Sequence, residues 1–213
     1  MRKIPTILPK DINDMGRVAH GTLMTGIEFF KIKIDGTACM IKDGQPYCRF
    51  DAKLFKRKKG KVINFTKEEV IAKLPDGAIA CQEADEKSGH WPHWVPVTLG
   101  DPSQKYILEG FNNLTSENVI DGTYECIGPK LQGNPHGEDK HYWIPHFHDN
   151  LNMNLTNLDN DNAFEFFEAL FQDFNFEGLV AYNDKKEPIG KIRCSDFGMK
   201  KDKYNSAFEL VKD

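Results

Sequence analysis

Apolar and polar positions alternate through Gly26-Ile27-Glu28-Phe29-Phe30-Lys31-Ile32-Lys33-Ile34, the period of a half-buried strand. Asp35-Gly36-Thr37 interrupts the run, and Ala38-Cys39-Met40-Ile41-Lys42 predicts a second strand. Asp43-Gly44 is a strong two-residue turn signal that returns Gln45-Pro46-Tyr47-Cys48-Arg49-Phe50 as a third. Thr66-Lys67-Glu68-Glu69 reads as a capping box ahead of Val70, Ile71 and Leu74, and Pro75 stops that short helix. Strands are expected at Lys105–Phe111 and Gly122–Gly128, with a further one, weakened by Pro145, at Tyr142–Phe147. The clearest helix runs from Asp161 to about Phe174. Phe164, Phe167, Phe171 and Phe174 recur at spacings of 3, 4 and 3, which puts four rings on one face and predicts a core stripe. A tight strand at Glu177–Tyr182, a turn through Asn183-Asp184-Lys185-Lys186 and a last strand at Ile189–Arg193 follow. The sum is mainly antiparallel sheet with helices packed against it, an α+β domain.

The 213 residues carry no internal repeat, low-complexity tract or Pro/Gly/Ser linker, so one domain over 1–213 is expected. With 39% hydrophobic and 28% charged residues, that length supports a core without disulfides or a structural metal. No run approaches the ~18 apolar residues of a membrane helix. Met1-Arg2-Lys3-Ile4-Pro5 lacks the apolar stretch of a signal peptide. Cys39, Cys48, Cys81, Cys126 and Cys194 are odd in number and never spaced C-x-x-C, which suits reduced thiols in a cytoplasmic chain. The sequons at Asn64, Asn113 and Asn154 carry little weight without a secretory route.

Net charge is −4, with a pI near 6.0, but the average hides segregation. Six of the nine residues from Lys53 to Lys61 are basic: Lys53, Lys56, Arg57, Lys58, Lys59 and Lys61. The later chain adds Lys191, Arg193, Lys200, Lys201 and Lys203, whereas Asp149 to Glu187 holds nine carboxylates against two lysines. A local basic run on an acidic chain fits a protein that holds a polyanion at one face, although a solvated loop is an equal reading of the run alone.

The most informative segment is Lys33-Ile34-Asp35-Gly36. Strand alternation would put Lys33 and Asp35 on one face, an ammonium beside a carboxylate, with Gly36 allowing close approach. A lysine so placed becomes a nucleophile if its proton is made easy to lose. Four pieces follow in order: Arg49 in Tyr47-Cys48-Arg49-Phe50, Glu125 in Gly122-Thr123-Tyr124-Glu125, Glu177 in Glu177-Gly178-Leu179-Val180, and two cations on one strand face in Lys191-Ile192-Arg193.

This ordered set resembles the covalent nucleotidyltransferase superfamily of polynucleotide ligases and mRNA capping enzymes, in which these segments are motifs I, III, IV and V. Arg193 stands where the pattern has lysine, a fork donor in place of a point charge. Ile32 stands where ligases often carry glutamate, with Lys31 before it. The segments Ala80–Asp85, Gly89–Val97, Gly122–Lys130 with Gln132–Pro135, and Arg193–Gly198 narrow the match. They resemble the small ATP-dependent RNA ligase family whose animal members are called RNA ligase 1, over roughly Lys31 to Lys200.

The resemblance implies a nucleotidyltransferase domain, ATP-grasp-like, and an ATP-dependent RNA ligase. Lys33 would attack the α-phosphorus of ATP, expel pyrophosphate and leave a lysyl-AMP phosphoramidate; AMP would pass to a 5′-phosphate of RNA, and a 3′-hydroxyl would then displace it. Asp35, Glu125 and Glu177 would supply oxygen ligands to Mg²⁺ (or Mn²⁺), mostly through water. Lys191 and Arg193 would neutralise the triphosphate and orient the leaving group. Ile32, Arg49, Glu125 and Glu177 would line the nucleotide, with His146 or Phe147 stacking on adenine. Lys53, Lys56, Arg57, Lys58 and Lys59 would contact the RNA backbone. No membrane and no obligate protein partner is implied. The 92 residues from Lys33 to Glu125 leave room for an insertion.

Rival readings are a DNA ligase or a capping guanylyltransferase, and a non-catalytic RNA- or nucleotide-binding module. The first two usually carry an OB-fold after motif V, which the twenty residues beyond Arg193 are not expected to hold; a minimal DNA ligase and a fragment of a longer chain stay open. His90 with His93 and His146 with His148 have spacings that suit metal ligands, but no cysteine pair accompanies them; structural or RNA-contacting roles are expected, and packing roles for Trp91 and Trp94.

Overall fold

The structure is a computed structural model that describes residues 4–153, 155 and 158–212. Asn154 and Thr156 of the third sequon, and the Arg57 side chain, lie outside the described residues. The described chain divides into two units. One is built from residues 4–36, 132–139 and 147–212, and the other from Thr37–Leu131 and Lys140–His146.

The first alternating run becomes strand β1 (Phe29–Lys33), shorter than its apolar pattern, and belongs to the first unit. The second unit is a six-stranded antiparallel sheet. It comprises β2 (Thr37–Lys42), β3 (Gln45–Lys53), β6 (Ile79–Ala80), β7 (His90–Pro96), β8 (Gly122–Ile127) and β9 (Tyr142–Pro145), in the order β6-β7-β3-β2-β8-β9. The Asp43-Gly44 turn joins β2 to β3 as expected, with φ of 52° and 71°. Cys39, Ile41, Cys48, Val95, Tyr124, Cys126 and Trp143 form its core. A separate hairpin, β4 (Phe55–Lys58) and β5 (Lys61–Asn64), carries the basic run, and α1 (Lys67–Ile71) starts on the capping box of Thr66 and Glu69.

Lys105–Phe111 is not a strand: it lies in helix α2 (Lys105–Asn112). Its aromatic and β-branched residues suggested period 2, but the buried positions are Ile107 and Gly110, one helical turn apart. Gly110 lies against Trp143, where an added Cβ would come within 2.9 Å of the indole.

The first unit is completed by β10 (Asn152–Met153), β11 (Gly178–Tyr182) and β12 (Pro188–Arg193), joined antiparallel in the order β10-β1-β11-β12. Register aligns Ile32 with Leu179 and Ile192, and Phe30 with Ala181 and Gly190. Paired residues share a face, so these rows make an apolar face. Helix α3 (Ala163–Asp173) covers it: Phe167 and Phe171 are fully buried, and Phe30 meets Phe167 edge-on at 5.8 Å. Phe174 does not complete the expected stripe. It caps the helix with extended backbone (φ −110°, ψ 143°), so its ring leaves the helical register and is half exposed. A last short helix, α4 (Ala207–Val211), begins on the Ser206 cap. Among the described residues no helix is long and apolar enough to cross a membrane.

Candidate active site

The face of the four-stranded sheet opposite α3 carries the cations. Lys31 pairs across Val180 with Lys191, and Lys33 across Gly178 with Arg193. Motifs separated by more than 140 residues thus meet on two adjacent rows. Gly178 is required there by close packing: an added Cβ would overlap the Ile192 carbonyl oxygen and lie 2.8 Å from Arg193 Cα.

Lys33 is the last residue of β1, and its amine donates to Glu177 Oε2 at 2.6 Å and to the Ile34 carbonyl at 3.4 Å. Glu177 stands immediately before β11, its carbonyl held by the Cys194 N–H at 2.9 Å. Burial pulls the Lys191 amine down to about 8, with the charges of Arg193 and Lys33 adding to it and Glu177 and Asp196 only partly offsetting it. Lys31 is buried, donates to the His148 carbonyl at 3.2 Å and lies 6.0 Å over the Tyr182 ring; burial lowers it too, against the opposing charge of Asp149.

Sequence reasoning missed Asp196. It is fully buried and binds Arg193 through Nη2 at 3.1 Å and Nε at 3.4 Å, the Arg193 N–H at 2.9 Å and Lys10 Nζ at 3.0 Å. Burial opposes its ionisation, but the hydrogen bonds and charges of Arg193 and Lys10 prevail and hold the carboxyl below its ordinary range. The same bond raises Arg193. The signal was present in the sequence as an acid three residues after Arg193.

Asp35 lies past the end of β1, so strand alternation does not place it on the Lys33 face as expected. Its N–H is taken by His136 Nε2 at 3.1 Å. The Ile32 side chain packs against the apolar core of the unit, which leaves its backbone for any nucleotide contact. Phe147 falls in this unit and is 45% exposed.

Arg49, Glu125 and His146 belong to the six-stranded unit. Ala38 pairs with Glu125, and Cys39 with Cys48, so Arg49 and Glu125 share the face opposite the core, one strand apart. Glu125 is buried and accepts from His146 Nε2 at 3.1 Å, while His146 Nδ1 lies 3.0 Å from Thr123 Oγ1.

On the hairpin, register puts Lys56, Lys58, Lys61 and Ile63 on one face, with Lys58 directly opposite Lys61. All are solvent-exposed, as are Lys59 at the turn and Lys53 at the end of β3. Like charges set face to face cost stability, so the arrangement is one that an anionic ligand would relieve. The histidine pairs have protein partners instead: His90 bonds Asp51, and buried His93 lies 2.7 Å from the Trp91 carbonyl. Trp91 and Trp94 are buried. Among the described residues no three His, Cys, Asp or Glu side chains gather into a group able to hold a metal ion.

No family model matches the chain. It is similar to RNA ligase 1 of Mus musculus, 24% identical over 200 aligned residues that take in 70% of this chain and 60% of that protein. RNA ligase 1 of Rattus norvegicus (24%) and of Pongo abelii (25%) match over the same share of the chain. The chain is distantly related to RNA ligase 1. It spans about 60% of the length of these relatives. The alignment therefore supports kinship with an RNA ligase, and the α+β, mainly antiparallel architecture is the frame in which its motif residues are held.

Proposed function

We propose that the protein is an ATP-dependent RNA ligase that works through lysyl-AMP. The observation that carries this reading is the row Lys33–Gly178–Arg193, with Glu177 Oε2 2.6 Å from the Lys33 amine and Lys191 on the adjoining row. Lys33, Lys191 and Arg193 of motifs I and V share one sheet face, Glu177 of motif IV is bonded to Lys33, and the distant relatives are RNA ligases by name.

Lys33 is the nucleophile in this reading. Its free amine attacks the α-phosphorus of ATP, the P–O bond to pyrophosphate breaks, and the amine proton departs to solvent or a neighbouring base. Lys191 and Arg193 neutralise charge on the phosphates, and Asp196 holds the Arg193 fork in place. Arg49 and Glu125 take the nucleotide roles that the resemblance gives them. AMP then moves to an RNA 5′-phosphate, and a 3′-hydroxyl closes the strand and releases AMP.

The donor set fits Mg²⁺. That ion keeps most of its waters and needs only one or two carboxylates beside substrate phosphates. The resemblance assigns Asp35, Glu125 and Glu177 as such oxygen donors. When bound, the ion would supply charge neutralisation at the phosphates.

Incubation with α-labelled ATP and Mg²⁺ tests the reading. The protein is expected to gain one AMP mass, stable to acid precipitation, and Lys33→Ala to gain none. Equal labelling of both would end it. Nicked duplexes, open single strands and hairpins of RNA and DNA would then separate RNA from DNA sealing.

A further inference from the structure

His136 is buried, and both of its nitrogens are committed. Nε2 accepts the Asp35 N–H at 3.1 Å, and Nδ1 lies 2.7 Å from the Asn205 carbonyl, to which only an N–H can donate. Together these bonds select the neutral ring protonated at Nδ1. One imidazole thus joins the backbone just past Lys33 to a segment far along the chain.

That segment is fastened independently. The Tyr204 N–H donates to the Pro135 carbonyl at 2.7 Å and the Asn205 N–H to the Asn175 carbonyl at 2.8 Å. The buried Glu138 carboxylate accepts from Ser206 Oγ at 2.8 Å and from the Phe208 N–H at 3.2 Å. Asn134 brackets Glu138 in turn, with two bonds of 2.9 Å to its backbone. Ala207 is fully buried. The Tyr204 ring centroid is 5.6 Å from that of His136.

We infer that Tyr204–Phe208 is a strap that holds the strand end bearing Lys33 in its attacking register, with His136 as the positioning residue that links the two. The inference rests on the assignment of Lys33 as nucleophile. Lys33 is the last residue in the sheet ladder, and the backbone that follows it is held by His136 rather than by a neighbouring strand. Nucleophilic attack tolerates little misplacement, and an error near 1 Å costs about a hundredfold.

The test uses the full chain with His136→Ala, His136→Gln and Ser206→Ala. Single-turnover labelling by α-labelled ATP with Mg²⁺ is followed against ATP concentration, and backbone hydrogen exchange is measured without nucleotide. In His136→Ala the rate at saturating ATP should fall about 10- to 100-fold. The ATP concentration at half rate should change by less than about threefold, a split that a general loss of structure would not give. His136→Gln, whose amide can accept from Asp35 and donate to Asn205, should recover most of the rate. Exchange at the Asp35 amide and at residues 204–208 should accelerate together, by about tenfold or more. Ser206→Ala removes the hydroxyl bond to Glu138 and the cap on Glu209 N–H but leaves the Phe208 N–H bond to Glu138, and should move both readouts the same way by less; it decides the matter if His136→Ala fails to fold. A wild-type labelling rate in His136→Ala, or faster exchange at Asp35 with residues 204–208 unchanged, overturns the strap. If the wild type takes no label, the ligase reading fails, and the exchange data still decide whether strap and strand end are coupled.

Discussion

Gly178 shows how much of the site one residue decides. It sits between Lys33 and Arg193, and nothing larger fits against the Ile192 carbonyl. Gly178→Ala should destabilise the protein by about 1–3 kcal/mol through overpacking. The denaturant midpoint should drop with the slope unchanged, and an unchanged midpoint would mean that the close approach is not real. Asp196→Ala should cost roughly 2–4 kcal/mol, because it strands the Arg193 and Lys10 cations; their partial exposure keeps the loss below that of a fully buried pair. Differential scanning calorimetry measures it, and a melting temperature equal to wild type would show that Asp196 does not anchor Arg193. The shared face of Lys191 and Arg193 was legible in the sequence, because strand alternation places residues two apart together. His136 was not, since its role comes from two backbone partners distant in the chain.

At the scale of elements, the hairpin β4–β5 gives the clearest separation of roles. Reversing Lys56, Lys58, Lys59 and Lys61 to glutamate should weaken RNA binding and flatten its salt dependence, by about 0.7 in log–log slope for each lost phosphate contact to a single strand. Lysyl-AMP formation should stay within about twofold of wild type. Filter binding across a salt series reads the first quantity and labelled ATP the second; equal loss of both would remove the hairpin from RNA recognition. Elements whose pattern is local were read well: the Thr66 capping box, the Asp43-Gly44 turn and the paired Phe167 and Phe171. Helix α2 was not, because Tyr106, Ile107 and Phe111 favour strands intrinsically, while burial against Trp143 imposes helical spacing. Phe174 strayed for a related reason: the helix ends before it, and periodicity cannot see a cap.

For the whole molecule, pH should act through opposing groups. Asp196 sits below its unfolded value, so its contribution is complete above about pH 4 and is lost as pH falls through the folded value. Lys191, at about 8, is lowered too and acts with the same sign in a higher window. From about pH 8 upward the unfolded chain holds that proton more tightly than the folded one, so the cost of burying the ammonium disappears and stability rises. Lys31 adds to this, being lowered as well. Above about pH 9 the slope should turn down, because burial raises the thiols of Cys39, Cys48 (to about 11) and Cys194, and the unfolded chain releases those protons first. Urea midpoints measured from pH 7 to 9 should therefore show the wild type gaining on Lys191→Met. A constant difference between the two would contradict the burial of that amine.

The sequence by itself determined the α+β class, most strands, the aromatic helix and the order of the charged motifs, because each is written in side chains that are neighbours along the chain or one period apart. Only the tertiary structure decided which rows of the sheet those motifs share, that Asp196 holds Arg193, that α2 is a helix, and that Tyr204–Phe208 is tied to the strand end of Lys33. Those outcomes depend on register and on burial against residues remote in sequence, and no local pattern encodes either.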